Sequence, residues 1–322
     1  MKLSIAIRGA LLFVALSCAA HAQPSGKPIR LVVPYPAGGV ADALARAVAV
    51  PLSTSLGTAV VVENKSGAAG AIGATFVKNS EPDGTTLLFT NVGPSAIAPA
   101  MSAVQPYDPS KDFVAVSLVS KSPLILAVPA ASPIKDTQSL IAAAKAKPAS
   151  IEYSSAGIGS FGHLSTELFA QSAGIQLLHV PYQGGNPATM AVLSGEVKMT
   201  LTAPSAQMFE MAKAGKVRLL GVTTRGPSQL VQGIPSIADV VPGFESQYWF
   251  GFVAPARTND AVVQKLHDAI DKILADPAVA RQILAMGNEV ATGSSADFQK
   301  LIDAEWLRWR AVVKSAKIDT KN

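Results

Sequence analysis

Two short glycine-rich stretches contain the residues of this sequence that are best suited to chemistry. Residues 34–42 include the adjacent glycines Gly38 and Gly39, and residues 154–163 combine three serines and a histidine with three glycines. Glycine lets the main chain approach a ligand where a Cβ atom would collide, and the first N–H groups of a helix attract anions. Both stretches could therefore bind a small anion, and the second could alternatively supply a nucleophile.

The catalytic alternative is a secreted serine hydrolase that uses Ser160 and His163. A nucleophile elbow requires the pattern Gly-x-Ser-x-Gly, and Ile158 stands where the first glycine should be. The base of a serine triad normally comes from a distant part of the chain, whereas His163 is only one helical turn from Ser160. The pattern therefore favours an anion-binding loop, in which the Ser155 hydroxyl and the Gly159 backbone are further donors.

Residue patterns for other kinds of chemistry are incomplete in this sequence. Gly67, Gly70 and Gly73 are spaced as Gly-x-x-Gly-x-x-Gly, which differs from the Gly-x-Gly-x-x-Gly of dinucleotide loops. We interpret them as a turn followed by a helix that packs closely through small residues. The single cysteine and the scattered histidines give no metal-ligand spacing. We therefore expect a protein without catalytic activity, cofactor or metal.

Short apolar strands alternate with amphipathic helices along the chain. The apolar runs predict strands at residues 29–33, 59–63, 85–90, 124–128 and 219–222, and helices at 42–55, 137–146 and 262–274. Pro51 is expected to kink or end the first of these helices. Asp276-Pro277 is expected to start a short helix, and Ser295 to cap the last one. This alternation indicates an α/β protein with parallel sheets.

Two further strand-to-helix junctions follow the same plan. In residues 179–187 the side chains of Tyr182 and Gln183 could face a cleft, although a turn capped by Asn186 explains the same residues equally well. Residues 200–205 form the other junction. Four such loops, distributed over two lobes, are what a receptor that binds its ligand in a cleft requires.

The lobe boundaries are predicted from two apparent crossings of the chain. One lies near residues 120–127, after a turn region, and the other near residues 243–255, where an aromatic run leads into the last helices. If both segments cross, lobe 1 consists of residues 23–123 and 247–322, and lobe 2 of residues 124–246.

The first 22 residues have the features of a cleaved signal peptide. Lys2 and Arg8 precede a short apolar segment, and Ala20-His21-Ala22 supplies a small-x-small cleavage site, so the mature chain is expected to begin at Gln23. Lipidation at Cys18 is a weaker alternative, because the residues before it depart from a lipobox. A large exported chain without disulfides indicates a bacterial periplasm.

The net charge and the hydropathy of the chain limit the kinds of partner that the protein is expected to have. Without residues 1–22 the formal net charge falls from +5 to +3, and the sequence contains no run of Lys and Arg. Nucleic acid is therefore not an expected partner. Beyond the signal peptide no apolar stretch is long enough to span a membrane. We expect a monomer whose partner is a small organic acid or a related polar metabolite.

Several sequence blocks, spread over nearly the whole mature chain, together carry a family likeness. The blocks are Pro28–Gly39 with Asp42 and Arg46; Val62-Glu63-Asn64 with Gly67, Gly70 and Gly73; Asp83-Gly84; Tyr107-Asp108-Pro109 with Lys111-Asp112-Phe113; Gly157 and Gly159 with His163-Leu164; Val180-Pro181-Tyr182; and, more loosely, Ile234-Pro235-Ser236 and Trp249-Phe250-Gly251. With these blocks the chain resembles the solute receptors of tripartite tricarboxylate transporters, the Bug-type extracytoplasmic receptors.

The resemblance implies the type II periplasmic-binding fold, in which two α/β lobes joined by a two-segment hinge close on a small carboxylate in the cleft between them. It implies that the ligand is held, partly through bridging waters, by Tyr35, Gly39, Ala41, Asp42, Ser160, Phe161 and His163, with Asn91, Ser95, Tyr182 and Pro204 lining the cleft. It also implies delivery of the ligand to the permease subunits in the membrane. A ligand sensor that feeds a signalling system is the remaining alternative.

Overall fold

The computed structural model describes residues 26–102, 104, 106–226 and 228–318. The predicted signal peptide and its cleavage site lie outside these residues. A six-stranded sheet in the order β11-β4-β10-β3-β1-β2 forms the centre of one lobe. Its strands are β1 (Ile29–Val33), β2 (Val60–Asn64), β3 (Thr86–Asn91), β4 (Phe113–Pro123), β10 (Gln247–Pro255) and β11 (Glu289–Val290).

A five-stranded sheet in the order β7-β6-β8-β5-β9 forms the centre of the other lobe. Its strands are β5 (Ile125–Pro129), β6 (Glu152–Ser155), β7 (Leu178–Pro181), β8 (Met199–Thr202) and β9 (Val217–Val222). The chain thus passes from the first sheet to the second at Leu124 and has returned by Gln247. The exact lobe limits of 23–123, 124–246 and 247–322 stay predictions.

Helices flank both sheets and also connect their strands. They are α1 (Val40–Leu56), α2 (Ala71–Lys78), α3 (Ala98–Met101), α4 (Thr137–Ala146), α5 (Phe161–Ala173), α6 (Gly185–Ser194), α7 (Ala206–Lys213), α8 (Asp260–Leu274), α9 (Pro277–Ala285) and α10 (Ser295–Ser315). Among these helices of the described residues, none is long and apolar enough to cross a membrane.

The prediction of parallel sheets is wrong in part, because both sheets are mixed. β1 is parallel to β2 and β3, but β10 is antiparallel to β3 and β4, and β5 is antiparallel to β8 and β9. The register of β4 and β10 gives the reason. Gln247 pairs with Pro123, so the strand that re-enters lobe 1 starts beside the end of the strand that leaves it. Because the chain leaves lobe 1 along β4 and returns along β10 at the same place, these two strands must run in opposite directions.

Alternate residues of the lobe 1 strands face opposite helical layers, as the pleat of a sheet requires. Phe89 and Phe252 pack with α1, α8 and α9 on one face, and Leu88 and Trp249 pack with α2 and α10 on the other. Helices on both faces leave the loops at the strand ends as the accessible edge of the sheet. The ligand loops of α/β proteins lie at such edges.

Two helix ends differ from the predictions. The alternative that α1 ends at Pro51 is wrong, because α1 continues to Leu56, where Gly57 ends it in the left-handed conformation; a kink at Pro51 stays a prediction. Leu44, Val48 and Leu52 are fully buried along one side of α1, and this packing outweighs the hydrogen bond that proline cannot make. The cap of α10 is Ser294 and not Ser295, since the Ser294 hydroxyl accepts a hydrogen bond from the Asp297 N–H.

The interpretation of the Gly67, Gly70 and Gly73 set is confirmed. A 3-10 turn at Ala68–Gly70 leads directly into α2. A Cβ atom on Gly73 would lie 3.0 Å from the Pro34 side chain and 3.0 Å from the Lys65 carbonyl oxygen. The glycines therefore allow α2 to pack against the end of β1 and do not cradle a phosphate. The prediction of a short helix after Asp276 is also confirmed, since α9 begins at Pro277.

Candidate functional site

Two adjacent cavities lie between the lobes and share Ala203 and Tyr248 in their walls. The first has a volume of about 470 Å³ and is lined by Tyr35, Pro36, Ala37, Gly39, Val40, Ala41, Asn91, Ser122, Ala203, Pro204, Tyr248, Phe250, Met286, Gly287 and Asn288. The second has a volume of about 230 Å³ and is lined by Leu124, Ser155, Ala156, Ser160, Phe161, Gly162, Gly185, Ala188, Thr200, Leu201, Thr202, Ala203 and Tyr248. Both lobes therefore contribute to one continuous cleft.

The start of α1 forms one wall of the first cavity. Gly38 has a φ of +84°, a left-handed conformation that favours glycine, and Gly39 caps the helix without any side-chain hydrogen bond. The backbone N–H groups of Val40 and Ala41 are therefore not satisfied by a capping side chain. They carry the partial positive charge of the helix terminus beside the cavity, which suits them to an anion.

Asp42 lies in the first turn of α1, but its carboxylate bonds to the protein. It accepts hydrogen bonds from the Gly38 N–H at 3.0 Å, the Asn64 Nδ2 at 3.0 Å and the Arg46 Nε at 3.0 and 3.1 Å. The Arg46 guanidinium, together with the Gly38 and Asn64 donors, lowers the pKa of Asp42 from 3.8 to about 2. Asp42 thus fixes the loop through contacts within the protein, while Val40 and Ala41 line the cavity.

We expect the substitution Asp42→Asn to loosen the 34–42 loop, because the amide cannot replace the charged acceptor of Arg46. The expected loss is about 1–2 kcal/mol of stability, together with weaker ligand binding. The pKa of Asp42 is lower in the folded than in the unfolded chain, so its contribution is present above pH about 4. It is lost as the pH falls from about 4 to about 2. Thermal unfolding of both proteins between pH 2 and 7 measures this.

The variant Asp239→Asn is a matched control, since Asp239 is exposed on a short 3-10 turn. We expect the difference in melting temperature between Asp42→Asn and the parent protein to shrink below pH about 4. A difference that stays constant down to pH 2 would show that the carboxylate charge does not stabilise the loop.

Tyr35 and Asn91 form a second polar group on the wall of the first cavity. Asn91 Oδ1 accepts hydrogen bonds from the Tyr35 hydroxyl at 2.9 Å and from the Gly93 N–H at 2.8 Å. Burial raises the pKa of Tyr35 well above its usual range, so its hydroxyl stays protonated and donates. With Oδ1 used in this way, the Nδ2 group of Asn91 is the part that remains available to a ligand.

The loop at residues 157–163 forms the start of α5, and its side chains stabilise one another. The Ser160 hydroxyl caps the helix by accepting a hydrogen bond from the His163 N–H at 3.3 Å. His163 Nδ1 accepts a hydrogen bond from the Gly159 N–H at 3.1 Å. The His163 ring stacks on the His179 ring with centroids 3.9 Å apart, and His179 Nε2 is 2.6 Å from the Ser155 hydroxyl.

Both imidazoles are neutral at physiological pH. Burial, with a smaller effect of His179, lowers the pKa of His163 to about 4, and burial lowers the pKa of His179 to about 4. Among the described residues no hydrogen bond joins the Ser160 hydroxyl to the His163 ring. The geometry is that of a capped helix start, not of a serine nucleophile with its base.

The cavities bring together eight of the residues predicted for the site. Tyr35, Gly39, Ala41, Asn91 and Pro204 line the first cavity, and Ser155, Ser160 and Phe161 line the second. The others line neither cavity: Gly38, Asp42, Ser95, Gly159, His163, Tyr182 and Gln183. Whether each residue contacts a ligand stays a prediction.

Some of the residues outside the walls have other partners. The Ser95 hydroxyl is buried and lies 2.7 Å from the Thr90 hydroxyl. The Tyr182 hydroxyl donates to Glu196 Oε1 at 2.8 Å, and Gln183 is exposed. Asn186 is not the cap of α6, because the helix begins after Gly184 and has no side-chain cap.

The sequence reasoning did not predict the residues that close the first cavity from β4, β10 and the segment before β11. Tyr248, Phe250 and Ser122 lie on the paired strands β10 and β4, and Asn288 lies next to β11. Tyr248 is central, since it lines both cavities and packs edge-on against Phe161 with ring centroids 4.6 Å apart. Burial raises its pKa to about 12. The aromatic run at 248–252 was the available signal, but it indicated only a lobe crossing.

Two α/β lobes around a cleft that a helix N-terminus borders are the architecture of solute-binding proteins with the type II periplasmic-binding fold. The family model of the tripartite tricarboxylate transporter family receptor matches residues 44–318. The chain belongs to this family of solute-binding receptors, as its sequence blocks predicted.

Individual relatives agree with this assignment. The chain is 32% identical to the protein BugT of Bordetella pertussis over 94% of this chain and 92% of BugT. Among solved structures, Rpa4515 of R. palustris with adipate is 34% identical, with a TM-score of 0.72, over 90% of this chain and 97% of that one. MatC of Rhodopseudomonas palustris with bound malate is 27% identical, with a TM-score of 0.69, over 89% of this chain and 98% of that one. The predicted fold class and receptor function are confirmed, and the hydrolase alternative is not favoured.

Proposed function

We propose that this protein captures a small carboxylate in the cleft and delivers it to the permease subunits of a tripartite tricarboxylate-type transporter. The observation that carries the proposal is the start of α1, where the N–H groups of Val40 and Ala41 adjoin the first cavity without a capping side chain. Asn91 stands beside them as a further neutral donor. Adipate and malate, named with two relatives, are both small carboxylates.

The walls of the first cavity also support a ligand with an apolar body. Its lining includes Val40, Tyr248, Phe250 and Met286, and none of its lining residues is Lys or Arg. A carboxylate would therefore be bound by backbone dipoles and neutral side chains, while its carbon skeleton packs on the aromatic rings. This combination suits an organic acid, because its carboxylate and its carbon skeleton both find partners in the walls of the cavity.

A thermal-shift screen tests the proposal with matched pairs of acids and amides. Adipate, malate and benzoate are compared with adipamide, malamide and benzamide at equal concentrations. A ligand at 100 times its Kd should add about 2.7 kcal/mol of stability. We expect at least one carboxylate to raise the melting temperature while its amide does not. Equal shifts from acid and amide, or no shift with any carboxylate, would contradict the proposal.

We also propose that the receptor has no hydrolase activity. The Ser160 hydroxyl is engaged in capping α5 through the His163 N–H, so the substitution Ser160→Ala should cost about 1 kcal/mol of stability. We expect the parent protein and this variant to hydrolyse p-nitrophenyl acetate equally slowly, at the rate of the buffer. A turnover that the parent shows and the variant lacks would support the hydrolase.

The exported state is part of the same proposal. We infer cleavage after Ala22, a mature chain that begins at Gln23, and a monomer in the periplasm. The family consists of receptors for a tripartite transporter, which supports a location on the outer side of the inner membrane. Intact mass of the periplasmic protein, with size-exclusion chromatography, measures both the start of the chain and its oligomeric state.

A further inference from the structure

A separate concave surface lies on lobe 1, between α3 and the C-terminal half of α10. It encloses about 510 Å³, and its lining includes Ala100, Leu307, Arg310, Lys314 and Lys317. None of these residues lines the two ligand cavities. We refer to the surface formed by these five residues as the basic groove.

The basic groove concentrates positive charge on one side of α10. Arg310, Lys314 and Lys317 are spaced four and three residues apart, so they lie on one side of α10 and its end. All three are exposed, and none forms an ion pair with another of the residues between 26 and 318 that the structure describes. Among the residues up to 318 that the structure describes, none of those lining the groove is acidic. Three like charges repel one another, so the surface is suited to an anionic partner.

Two other features make the groove a defined surface rather than a loose set of lysines. The Arg310 guanidinium lies over the Trp306 ring, 5.0 Å from its centroid, which holds that side chain in place. Leu307 is 65% exposed on the same side of α10, one turn before Arg310. An exposed apolar residue next to an Arg, a residue type enriched at protein interfaces, suits this surface to a polypeptide partner.

Both elements that form the groove also contact the ligand loop of lobe 2. Met101, at the end of α3, lies beside Gly159, so closely that a Cβ there would be 3.2 Å from the methionine methyl carbon. On α10, the Trp309 ring packs edge-on against Phe161, with centroids 5.6 Å apart. Phe161 lines the second ligand cavity. A movement of lobe 2 against lobe 1 must therefore change contacts at the back of the groove.

We propose that the basic groove is the docking surface for an acidic polypeptide segment of the membrane partner, and that a closed, liganded cleft strengthens this docking. The proposal rests on the receptor function proposed above. A recessed surface with three cations fits a polypeptide that carries a few Asp or Glu side chains. An anionic membrane is flat and cannot follow the recess, so it fits this surface less well.

Decaglutamate with a fluorescent label is the probe for the acidic segment, and its binding is measured by fluorescence anisotropy at low salt. The triple variant Arg310→Glu, Lys314→Glu and Lys317→Glu should weaken binding at least about tenfold. The matched control is Lys265→Glu, Lys272→Glu and Arg281→Glu, which reverses three exposed charges on α8 and α9 of the same lobe. We expect the control to stay within about threefold of the parent, and salt to weaken binding. Equal losses in the two variants would overturn the proposal.

Two further measurements separate this proposal from its alternatives. Vesicles of phosphatidylglycerol test whether the groove binds an anionic membrane instead. The proposal would be overturned if the triple variant lost binding to the vesicles but kept its binding to decaglutamate. The carboxylate with the largest thermal shift should tighten decaglutamate binding by the parent, and the triple variant should keep that thermal shift. A triple variant that loses both decaglutamate binding and the thermal shift with the carboxylate would contradict a docking surface that is separate from the cleft. Decaglutamate binding without any carboxylate shift would instead contradict the receptor function and leave the groove as a docking surface.

Discussion

The substitution Tyr248→Ala should weaken the binding of the carboxylate by about a hundredfold, the largest effect on affinity expected from one residue of the cleft. Tyr248 lines both cavities, packs against Phe161 of lobe 2 and stacks on Phe250 of lobe 1 with centroids 5.5 Å apart. Its removal enlarges the cleft and removes an aromatic contact between the lobes. Isothermal titration calorimetry with the carboxylate found in the screen measures the loss.

The variant Tyr248→Phe separates the contribution of the ring to ligand affinity from that of the hydroxyl. Among the described residues none forms a hydrogen bond with the Tyr248 hydroxyl, so it is available to a ligand. We expect Tyr248→Phe to lose at most about tenfold in affinity, the equivalent of one hydrogen bond. Both variants should stay folded by circular dichroism. An unchanged affinity in Tyr248→Ala would remove this residue from the site.

The substitution Gly251→Ala should cost about 3 kcal/mol of stability, the largest effect on folding that we expect from a small change. Gly251 lies in the middle of β10, between β3 and β4. A Cβ atom there would be 2.4 Å from Cζ of Phe298 and 2.7 Å from the Ser117 carbonyl oxygen. Either α10 or the neighbouring strand must shift, and urea denaturation measures the cost.

Gly226→Ala is the matched control for Gly251→Ala. A Cβ on Gly226 would meet no atom within 4 Å, and the φ of Gly226 is outside the left-handed region. We expect its stability to stay within about 0.5 kcal/mol of the parent protein. Similar midpoints of urea denaturation for the two variants would show that the close approach of α10 to β10 is not needed for the fold.

The loop at residues 34–42 could be predicted from the sequence because its signal is local. Two glycines between an apolar strand and an amphipathic helix define the junction without any knowledge of distant residues. The role of Asp42 could also have been read locally, since Arg46 stands four residues later on the same helix face. The resemblance implies that Asp42 helps to hold the ligand, which stays a prediction, and in the structure its carboxylate accepts hydrogen bonds from Gly38 and Arg46.

The opposite walls of the cleft could not be predicted, because they depend on long-range pairing. Ser122 and Tyr248 are far apart in sequence and become direct partners in the register of β4 and β10. That register follows from the two crossings between the lobes, which composition and periodicity do not specify. The same crossings explain why the sheets are mixed although each apolar run reads as a buried parallel strand.

A crystal structure of the protein with the carboxylate that gives the largest thermal shift tests the central claim most directly. We predict that the carboxylate lies at the start of α1, about 3 Å from the N–H groups of Val40 and Ala41 or joined to them by one water. Asn91 Nδ2 should be a further donor, and the carbon skeleton should contact Tyr248. A ligand that lies outside the cleft, or that turns its carboxylate away from α1, would contradict this account.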